Sequence, residues 1–344
     1  MRAVVVGFGK MGMLHTALLN AHKEIKVVAL LDSEEKILNV FSKLNDNIKT
    51  FSSADKLMAE VEFDCVFITT PHYLHLKVLE DFSSEKKHFF IEKPLVHDFK
   101  VINDFNFNKS ITDNVVVGYC MRFQPAFSLA KKILSEGSIG TLRSYSSKHF
   151  IASVTKKISG WRTDLKKSGG GALITNGSHL IDLLYWFFGL PSGAFGKSQY
   201  KFNKNIEDSF FGNLIYNNGL IGSIEVDWSR RIYRIPYTSI EVNGDYGYIS
   251  VDDDGLELII DSQKSNMKEG RYYYSSTDLY KGNYFDVAGG YYSRQTEAFL
   301  DFMKTNIKGD LSDFQQSADV QLIIETLYQS NKEQSKVVNI SKVK

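Results

Sequence analysis

A glycine-rich turn close to the start of the chain constrains its fold more than any other feature. Residues 3–6 are all apolar, which is typical of a buried parallel strand. Gly7, Gly9 and Gly12 follow in the spacing G-x-G-x-x-G, and residues 13–21 then have apolar positions at helical spacing. Strand, glycine turn and helix in this order predict the first unit of a dinucleotide-binding domain.

An acidic residue one supersecondary unit later indicates which dinucleotide would bind. A second apolar run over 25–31 ends at Asp32, 20 residues after Gly12. A carboxylate at this position accepts hydrogen bonds from the adenosine ribose hydroxyls and repels a 2′-phosphate. The next residues are Ser33, Glu34 and Glu35, so no basic side chain follows to neutralise a phosphate. We therefore expect NAD rather than NADP.

Each glycine has a distinct expected role in holding the cofactor. Gly7 allows a tight turn out of the strand, and Gly9 lets the backbone approach a pyrophosphate. Gly12 lets the helix pack closely on the sheet. The start of that helix then offers free N–H groups and the positive end of its dipole to the phosphates.

Length and composition allow two domains and argue against several classes of partner. The chain has 344 residues, of which 43% are hydrophobic. Its 41 basic and 40 acidic residues leave a formal net charge of +1, so we expect no nucleic-acid partner and no membrane contact. Cys65 and Cys120 lie in apolar, strand-like runs. Buried reduced thiols and a cytoplasmic location are therefore predicted.

The pattern of the chain changes near residue 120 and predicts two domains, 1–120 and 121–344. The first alternates strands and helices, as a parallel α/β sheet requires. We predict strands over 3–6, 27–31, 65–69, 88–91 and 115–117, and helices over 11–21, 33–44, 53–60, 73–82 and 99–108. The second has predicted helices near 125–136 and 172–188, and its end, from about 291 to 331, is predicted to be helical again. Turn signals at 217–219, 243–245 and 253–255 predict hairpins of an antiparallel or mixed sheet.

Several motifs stand after predicted strands, where a doubly wound sheet binds its ligand. They are Thr70-Pro71-x-x-x-His75, Glu92-Lys93-Pro94, Arg122-Phe123-x-Pro125, Gly169-Gly170-Gly171 followed by Gly177-x-His179-x-x-Asp182, and Glu207-Asp208 ahead of Trp228. Together with the glycine fingerprint, this ordered set resembles the glucose–fructose oxidoreductase and inositol dehydrogenase family (Gfo/Idh/MocA). The resemblance covers nearly the whole chain.

The resemblance implies a fold, a reaction and a cofactor site. The fold is an N-terminal Rossmann domain with a doubly wound parallel sheet, followed by a C-terminal α+β domain with a large, open, mostly antiparallel sheet. The reaction is hydride transfer between a nicotinamide cofactor and a secondary alcohol or ketone of a sugar, cyclitol or nucleotide sugar. The implied cofactor-binding residues are Gly7, Phe8, Gly9, Lys10, Met11, Gly12, Asp32, Thr70, Pro71, His75, Glu92 and Lys93.

Lys93 and His179 are the catalytic residues that the resemblance implies. The cofactor carries the hydride, and the protein must take the hydroxyl proton. Lysine is a base near neutral pH when burial or another cation lowers its pKa, whereas histidine titrates there without help. Either residue therefore fits as the base, with the other polarising the oxygen. The resemblance also implies a cis peptide between Lys93 and Pro94.

One departure from the family pattern affects the predicted substrate site. Many catalytic members have Asp four residues before the helix histidine, and here that position is Thr175. Asn176 and Asp182 are the alternatives for orienting the His179 ring. Predicted substrate contacts are Lys93, Arg122, Arg162, Thr175, Asn176 and His179. We expect no metal, because the spacing of His72, His75, His149 and His179 fits no zinc motif.

Two other functions fit the same motifs. One branch of the superfamily resembles NAD-dependent glycosidases, in which transient oxidation permits elimination and the cofactor is recycled. Some relatives bind a dinucleotide only as regulators, a reading that Thr175 favours weakly and that Lys93 and His179 oppose. We also expect a homodimer or homotetramer, because family members pair through the open sheet. In this chain we expect that sheet to be rich in Phe and Tyr and to expose an apolar patch.

Overall fold

The computed structural model describes residues 1–44, 47–83, 87–105, 109–286 and 289–343. Its first part alternates strands and helices, as predicted. The strands are β1 (Arg2–Val6), β2 (Lys26–Leu31), β3 (Lys49–Phe51), β4 (Cys65–Ile68), β5 (His88–Ile91) and β6 (Val115–Val117), and the helices are α1 (Lys10–Ala21), α2 (Glu35–Leu44), α3 (Ala54–Glu60), α4 (His75–Asp81), α5 (Lys100–Asp104) and α6 (Lys109–Thr112). The predicted helix over 99–108 corresponds to α5, and its residues 106–108 lie outside the described ranges.

The rest of the chain is dominated by strands. It contains α7 (Pro125–Ser135), β7 (Leu142–Phe150), α8 (Leu165–Ser168), α9 (Ser178–Phe188), β8 (Gly193–Gln199), β9 (Ser209–Ile215), β10 (Ile221–Asp227), β11 (Tyr237–Gly244), β12 (Gly247–Asp252), β13 (Gly255–Ile260), β14 (Gly270–Ser275), α10 (Ser276–Leu279), α11 (Gly290–Thr305), β15 (Ser312–Asp313), α12 (Phe314–Lys332) and β16 (Val338–Asn339). A π-helical turn, Leu173–Gly177, leads directly into α9. The three predicted turns join β9 to β10, β11 to β12 and β12 to β13.

The region over 291–331 is helical, as predicted, and is divided into two helices. Helix α11 ends where Asn306 adopts a left-handed conformation with φ of 59°. Strand β15 then precedes α12. Asparagine tolerates this conformation better than most residues, so it ends the helix much as glycine does.

The described chain forms two compact units. The first comprises residues 1–96, 100–120 and 282–317, and the second comprises 97–99, 121–281 and 318–344. The predicted domain 121–344 is therefore corrected, because 282–317 returns to the first unit. There the Tyr284 hydroxyl donates to the carbonyl of Leu18 at 3.2 Å, and Lys304 Nζ lies 2.7 Å from a carboxylate oxygen of Glu24. Strand β15 also pairs with β6.

The first unit contains a seven-stranded sheet in the order β15-β6-β5-β4-β1-β2-β3. All pairs are parallel except β15 with β6. Strands β1, β4 and β5 are fully apolar at their centres and buried on both faces, as a sheet covered by helices requires. The expected doubly wound sheet is confirmed.

The second unit contains a nine-stranded sheet in the order β14-β13-β12-β11-β7-β10-β9-β8-β16. Only β7 and β10 run parallel among its described pairs. The outward face of this sheet is mixed: Phe211, Ile221 and Tyr273 lie at outward positions and are 38%, 44% and 68% exposed, and polar residues lie between them. One row crosses from Asn213 to Ser223, Ser146 and Glu241, because alternation sends Phe210 and Tyr145 inward.

The two cysteines are buried, free thiols, as predicted. Burial raises the pKa of Cys120 to about 12 and also raises that of Cys65. Among the described residues, the longest helices are too polar to cross a bilayer.

The turn between β12 and β13 generates a prediction about pH-dependent stability. Burial raises the pKa of Asp253 to about 6, against the opposing hydrogen bonds from the Thr238 N–H and Gln124 Nε2. A raised folded-state pKa stabilises the fold at low pH, and that stabilisation is lost as pH rises through about 6. Asp253→Asn should remove this loss, which is worth about 3 kcal/mol at most.

Thermal melting at pH 4.5 and pH 7.5 measures this effect. We expect a smaller drop in melting temperature for Asp253→Asn than for wild type. The exposed carboxylate in Asp261→Asn serves as the control. Equal pH dependence of wild type and Asp253→Asn would contradict the prediction.

Candidate functional site

Three loops of the first unit meet at the carboxyl edge of its sheet. Strands β1, β4 and β5 are in register, so that Val6 pairs with Ile68 and Ile68 pairs with Ile91. The residues that follow, Gly7, Thr69 and Glu92, therefore stand level along one edge. This edge lies at the switch point of strand order, where such sheets bind ligands.

The glycine turn brings α1 against the end of β1. Gly7 has φ of 88°, and a Cβ there would lie 2.8 Å from the backbone nitrogen of Thr70. A Cβ on Gly12 would lie 2.1 Å from the carbonyl oxygen of Gly7. The Thr69 hydroxyl donates to that same carbonyl at 2.6 Å. Larger residues at 7 and 12 would push the helix away from the sheet.

The residues of this turn fit NAD. A Cβ built on Gly9 would meet nothing within 4 Å among the described residues, so a diphosphate has room to approach the backbone. Helix α1 begins at Lys10 and continues with Met11, which places free N–H groups and a basic side chain beside that space. Asp32 is partly exposed, and its carboxylate accepts hydrogen bonds from the N–H groups of Phe8 at 2.5 Å and Glu34 at 2.9 Å.

His75 is a correction to the predicted cofactor site. Its side chain is fully buried, with Nε2 2.9 Å from the carbonyl of Thr70 and Nδ1 3.1 and 3.2 Å from those of Pro94 and Leu95. Burial lowers the pKa of His75, although these carbonyls act in the opposite direction. The ring ties the loop after β4 to the loop after β5, and it has no surface for a cofactor. Thr70 and Pro71 are partly exposed at the same edge.

The Glu92-Lys93-Pro94 motif begins directly after β5. The Lys93–Pro94 peptide is cis, as the resemblance implied. Lys93 is partly exposed, whereas Glu92 is buried with one carboxylate oxygen 2.8 Å from His15 Nε2. The sequence did not lead us to predict a role for His15. Its position on α1, three residues after Gly12, was the available signal that it faces the sheet.

In the second unit, the triple glycine leads through the π-helical turn into α9. Thr175, Asn176 and His179 are partly exposed around this turn, while the residues between and beyond them are buried. Turns of this kind are often found at functional sites. Sequence periodicity predicted one regular helix over 172–188 and gave no signal for the wider turn.

Glu207 supports this turn, a role that the sequence did not reveal. Its buried carboxylate accepts hydrogen bonds from the N–H groups of Gly171 at 2.8 Å and Leu173 at 2.9 Å, and from the Tyr328 hydroxyl at 2.8 Å. Burial raises the pKa of Glu207 despite these donors. A Cβ on Gly171 would lie 2.0 Å from the Glu207 carbonyl oxygen, so this glycine is needed for close approach.

His149 lies near the predicted catalytic histidine. Its ring centroid is 6.5 Å from that of His179, and its Nδ1 is 2.8 Å from the Thr238 hydroxyl. His149 is 3% exposed, so it belongs to the wall behind His179. In the sequence, His149 was considered only for a zinc motif, and no local pattern indicated that it lies near His179.

Arg122 is a correction to the predicted substrate site, because it pairs with Asp182, one of the two residues considered for orienting the His179 ring. Arg122 Nε and Nη2 lie 2.9 and 2.6 Å from the two carboxylate oxygens of Asp182, and both residues are at most 1% exposed. The guanidinium also lies over the Trp186 ring. This bidentate pair anchors α9 to the start of the second unit. We therefore assign Arg122 a structural role instead of a substrate contact. Arg162, by contrast, is exposed and lies over the ring of Trp161.

The Arg122 assignment predicts a loss of stability. Arg122→Met removes both guanidinium hydrogen bonds from a buried carboxylate, which typically costs about 3–5 kcal/mol. Urea unfolding and thermal melting measure the loss. Arg143→Met is the matched control, because Arg143 makes the same bidentate pair with Asp245 at an exposed position. An unchanged stability combined with a raised KM would contradict the structural role.

Comparison with known proteins identifies both halves of the chain. The model of the oxidoreductase family's NAD-binding Rossmann fold matches residues 1–105. The model of the same family's C-terminal alpha/beta domain matches residues 131–340.

Relatives and solved structures agree with these matches. A 2,7-anhydro-N-acetylneuraminate hydratase of Escherichia coli is 27% identical over 258 residues, covering 72% of this chain and 66% of the relative. An uncharacterized oxidoreductase of Synechocystis is matched over 50% of its length, so the chain spans about half to two thirds of these relatives.

Similar folds are found in a levoglucosan dehydrogenase in complex with NADH and in the WlbA dehydrogenase of Bordetella pertussis in complex with NADH and UDP-GlcNAcA. The TM-score is 0.82 for both. The identities are 20% and 19%; coverage is 99% of both chains for the first, and 98% of this chain and 97% of the other for the second. The chain belongs to the Gfo/Idh/MocA oxidoreductase family and carries its NAD-binding Rossmann domain.

Proposed function

We propose that this protein is an NAD-dependent dehydrogenase or reductase acting on a secondary alcohol or ketone of a sugar, cyclitol or nucleotide sugar. The observation that carries the proposal is the position of Lys93. Lys93 follows β5 at the same sheet edge as the glycine turn and Asp32, the residues suited to hold NAD. A partly exposed lysine at this edge is well placed to act on a group bound beside the nicotinamide.

Lys93 and His179 divide the acid–base work in this proposal. NAD, when bound, accepts the hydride at C4 of its nicotinamide. The chain must bind and orient the hydroxyl, remove its proton and stabilise the oxygen as negative charge develops. Lys93 and His179 supply the base and the polarising cation. Thr175, Asn176 and the exposed Arg162 orient the sugar, and a guanidinium there favours substrates with a carboxylate or phosphate.

A second function without net oxidation has one specific observation in its favour. The Escherichia coli relative is named as a hydratase, a reaction that leaves no reduced cofactor behind. Transient oxidation by the same residues, followed by return of the hydride, would give such a reaction. It requires NAD to stay bound through many turnovers.

An absorbance assay at 340 nm against sugars, inositols and UDP-sugars separates these functions. The dehydrogenase accumulates NADH with one class of substrate. A recycled cofactor gives product by mass spectrometry without NADH. Tight NAD binding with neither result would leave a regulatory dinucleotide-binding protein.

Lys93→Met tests the assignment of the catalytic lysine. We expect kcat to fall about 10²- to 10⁴-fold, the usual contribution of a positioned acid–base group. NAD binding should be nearly unchanged. Lys77→Met, at an exposed position on α4, is the control and should retain full activity. Full activity of Lys93→Met would remove this residue from the mechanism.

Asp32→Asn tests the cofactor assignment. Loss of the charged acceptor should weaken NAD binding about tenfold and reduce the preference over NADP. Fluorescence titrations with NADH and with NADPH measure the two affinities, and melting temperature checks that the turn at Phe8 is intact. Glu34→Gln, two residues away, should leave the affinities unchanged. An NAD affinity in Asp32→Asn equal to wild type would contradict the assignment.

The proposal extends to assembly and location. A homodimer or homotetramer is proposed from family membership, and the exposed Phe211, Ile221 and Tyr273 on the outward sheet face support it. Light scattering that gives a monomer would contradict it. A cytoplasmic location is supported by the two buried free thiols, which fit a reducing compartment.

A further inference from the structure

A buried ion pair stands directly behind the Glu92-Lys93-Pro94 motif. His15 is 1% exposed and Glu92 is 6% exposed, and His15 Nε2 lies 2.8 Å from Glu92 Oε1. The His15 ring is surrounded by aromatic rings, with centroids 4.9 Å from Phe90 and 5.5 Å from Phe67. Such a pair is not needed for stability, because well-packed apolar residues usually serve as well or better.

The second carboxylate oxygen of Glu92 points forward along the chain. Oε2 accepts a hydrogen bond from the backbone N–H of Lys93 at 3.2 Å. Burial raises the pKa of Glu92, but the hydrogen bond from His15 and the charges of His15 and Lys93 outweigh it and bring the pKa below its usual value. Glu92 is therefore an anion. The His15 ring on α1 holds its Oε1, and the backbone N–H of Lys93 holds its Oε2.

The space around Glu92 restricts it to this arrangement. A Cβ on Gly118 would lie 3.3 Å from Glu92 Oε1 and 3.0 Å from the Phe90 ring, so the neighbouring strand end leaves no room for a side chain. Besides His15 and Lys93, the titratable groups Cys120, Tyr292 and His75 interact with Glu92 in the first unit. Rotation of the carboxylate is thus opposed by His15, the Lys93 backbone and the packed wall.

We propose that His15 is a positioning residue for Lys93, acting through Glu92. His15 holds Glu92 Oε1, and this keeps Glu92 Oε2 in position to accept the hydrogen bond from the Lys93 N–H. The backbone of Lys93 is thereby fixed, and so is the direction in which its side chain extends. This inference rests on the proposed function, in which Lys93 acts on the substrate oxygen. Misplacement of a catalytic group by about 1 Å costs up to about 100-fold in rate.

Three variants separate positioning from stability. His15→Phe keeps a ring beside Phe67 and Phe90 but removes the donor, and His15→Gln retains an N–H. His15→Phe combined with Glu92→Leu replaces the whole pair by apolar groups and should melt at or above the wild-type temperature. The matched control is His22→Phe, at the end of the same helix, where the ring packs on Tyr284.

Kinetics with the substrate found in the 340 nm assay give the first readout. His15→Phe and the double variant should lower kcat about 10- to 100-fold, with the NAD dissociation constant within about twofold of wild type. His15→Gln should recover most of kcat. A fully active double variant, or wild-type kcat in His15→Phe, would overturn the proposal.

A spectroscopic readout does not depend on activity. Reductive ¹³C-methylation labels the lysines, and the Lys93 resonance is identified by its absence in Lys93→Met. His15→Phe should shift that resonance, whereas His22→Phe should not. If Lys93→Met retains turnover, Lys93 is outside the mechanism and the premise taken from the proposed function fails. If Lys93 is essential and its resonance and kcat are unmoved by His15→Phe, only the positioning role fails.

Discussion

The close approach of helix α1 to the turn after β1 is the constraint on which the first unit depends. A Cβ on Gly12 would stand 2.1 Å from the Gly7 carbonyl, and Thr69 donates to that carbonyl from β4. Helix and sheet can therefore meet only with glycine at these positions. The same approach brings the start of α1 to the carboxyl edge of the sheet and brings His15 to Glu92 at the end of β5. One packing contact therefore shapes the proposed NAD site and places His15 behind the proposed catalytic lysine.

The second unit is organised around buried polar groups rather than around a glycine turn. Glu207 holds the backbone of the triple-glycine segment, and the Arg122–Asp182 pair holds α9. Both are desolvated charges with several donors or acceptors in place, an arrangement that is costly to build and costly to break. They leave Thr175, Asn176 and His179 on the partly exposed side of the turn. A rigid support of this kind is what a positioned acid–base group requires.

The sequence predicted most of the first unit because local patterns there have one structural meaning. Apolar runs gave β1, β4, β5 and β6 within a residue or two, and the glycine fingerprint correctly predicted the NAD-binding Rossmann domain. Strand β3 was missed, since Lys49–Phe51 is too short to show alternation. The return of 282–317 was also missed, because no local pattern reports which sheet a distant helix packs on. Motifs alone predicted that His75 binds the cofactor and that Arg122 binds the substrate. In the structure both side chains are buried, His75 against backbone carbonyls and Arg122 against the Asp182 carboxylate.

Binding of the nicotinamide dinucleotides to the wild-type protein tests the central claim most directly. Calorimetric titration of nucleotide-free protein with NAD and with NADP measures stoichiometry and affinity without knowledge of the substrate. One NAD per chain, bound about tenfold or more tightly than NADP, is the predicted result, because Asp32 repels a 2′-phosphate. Absence of NAD binding, or tighter binding of NADP, would contradict the assignment of this sheet edge as an NAD site.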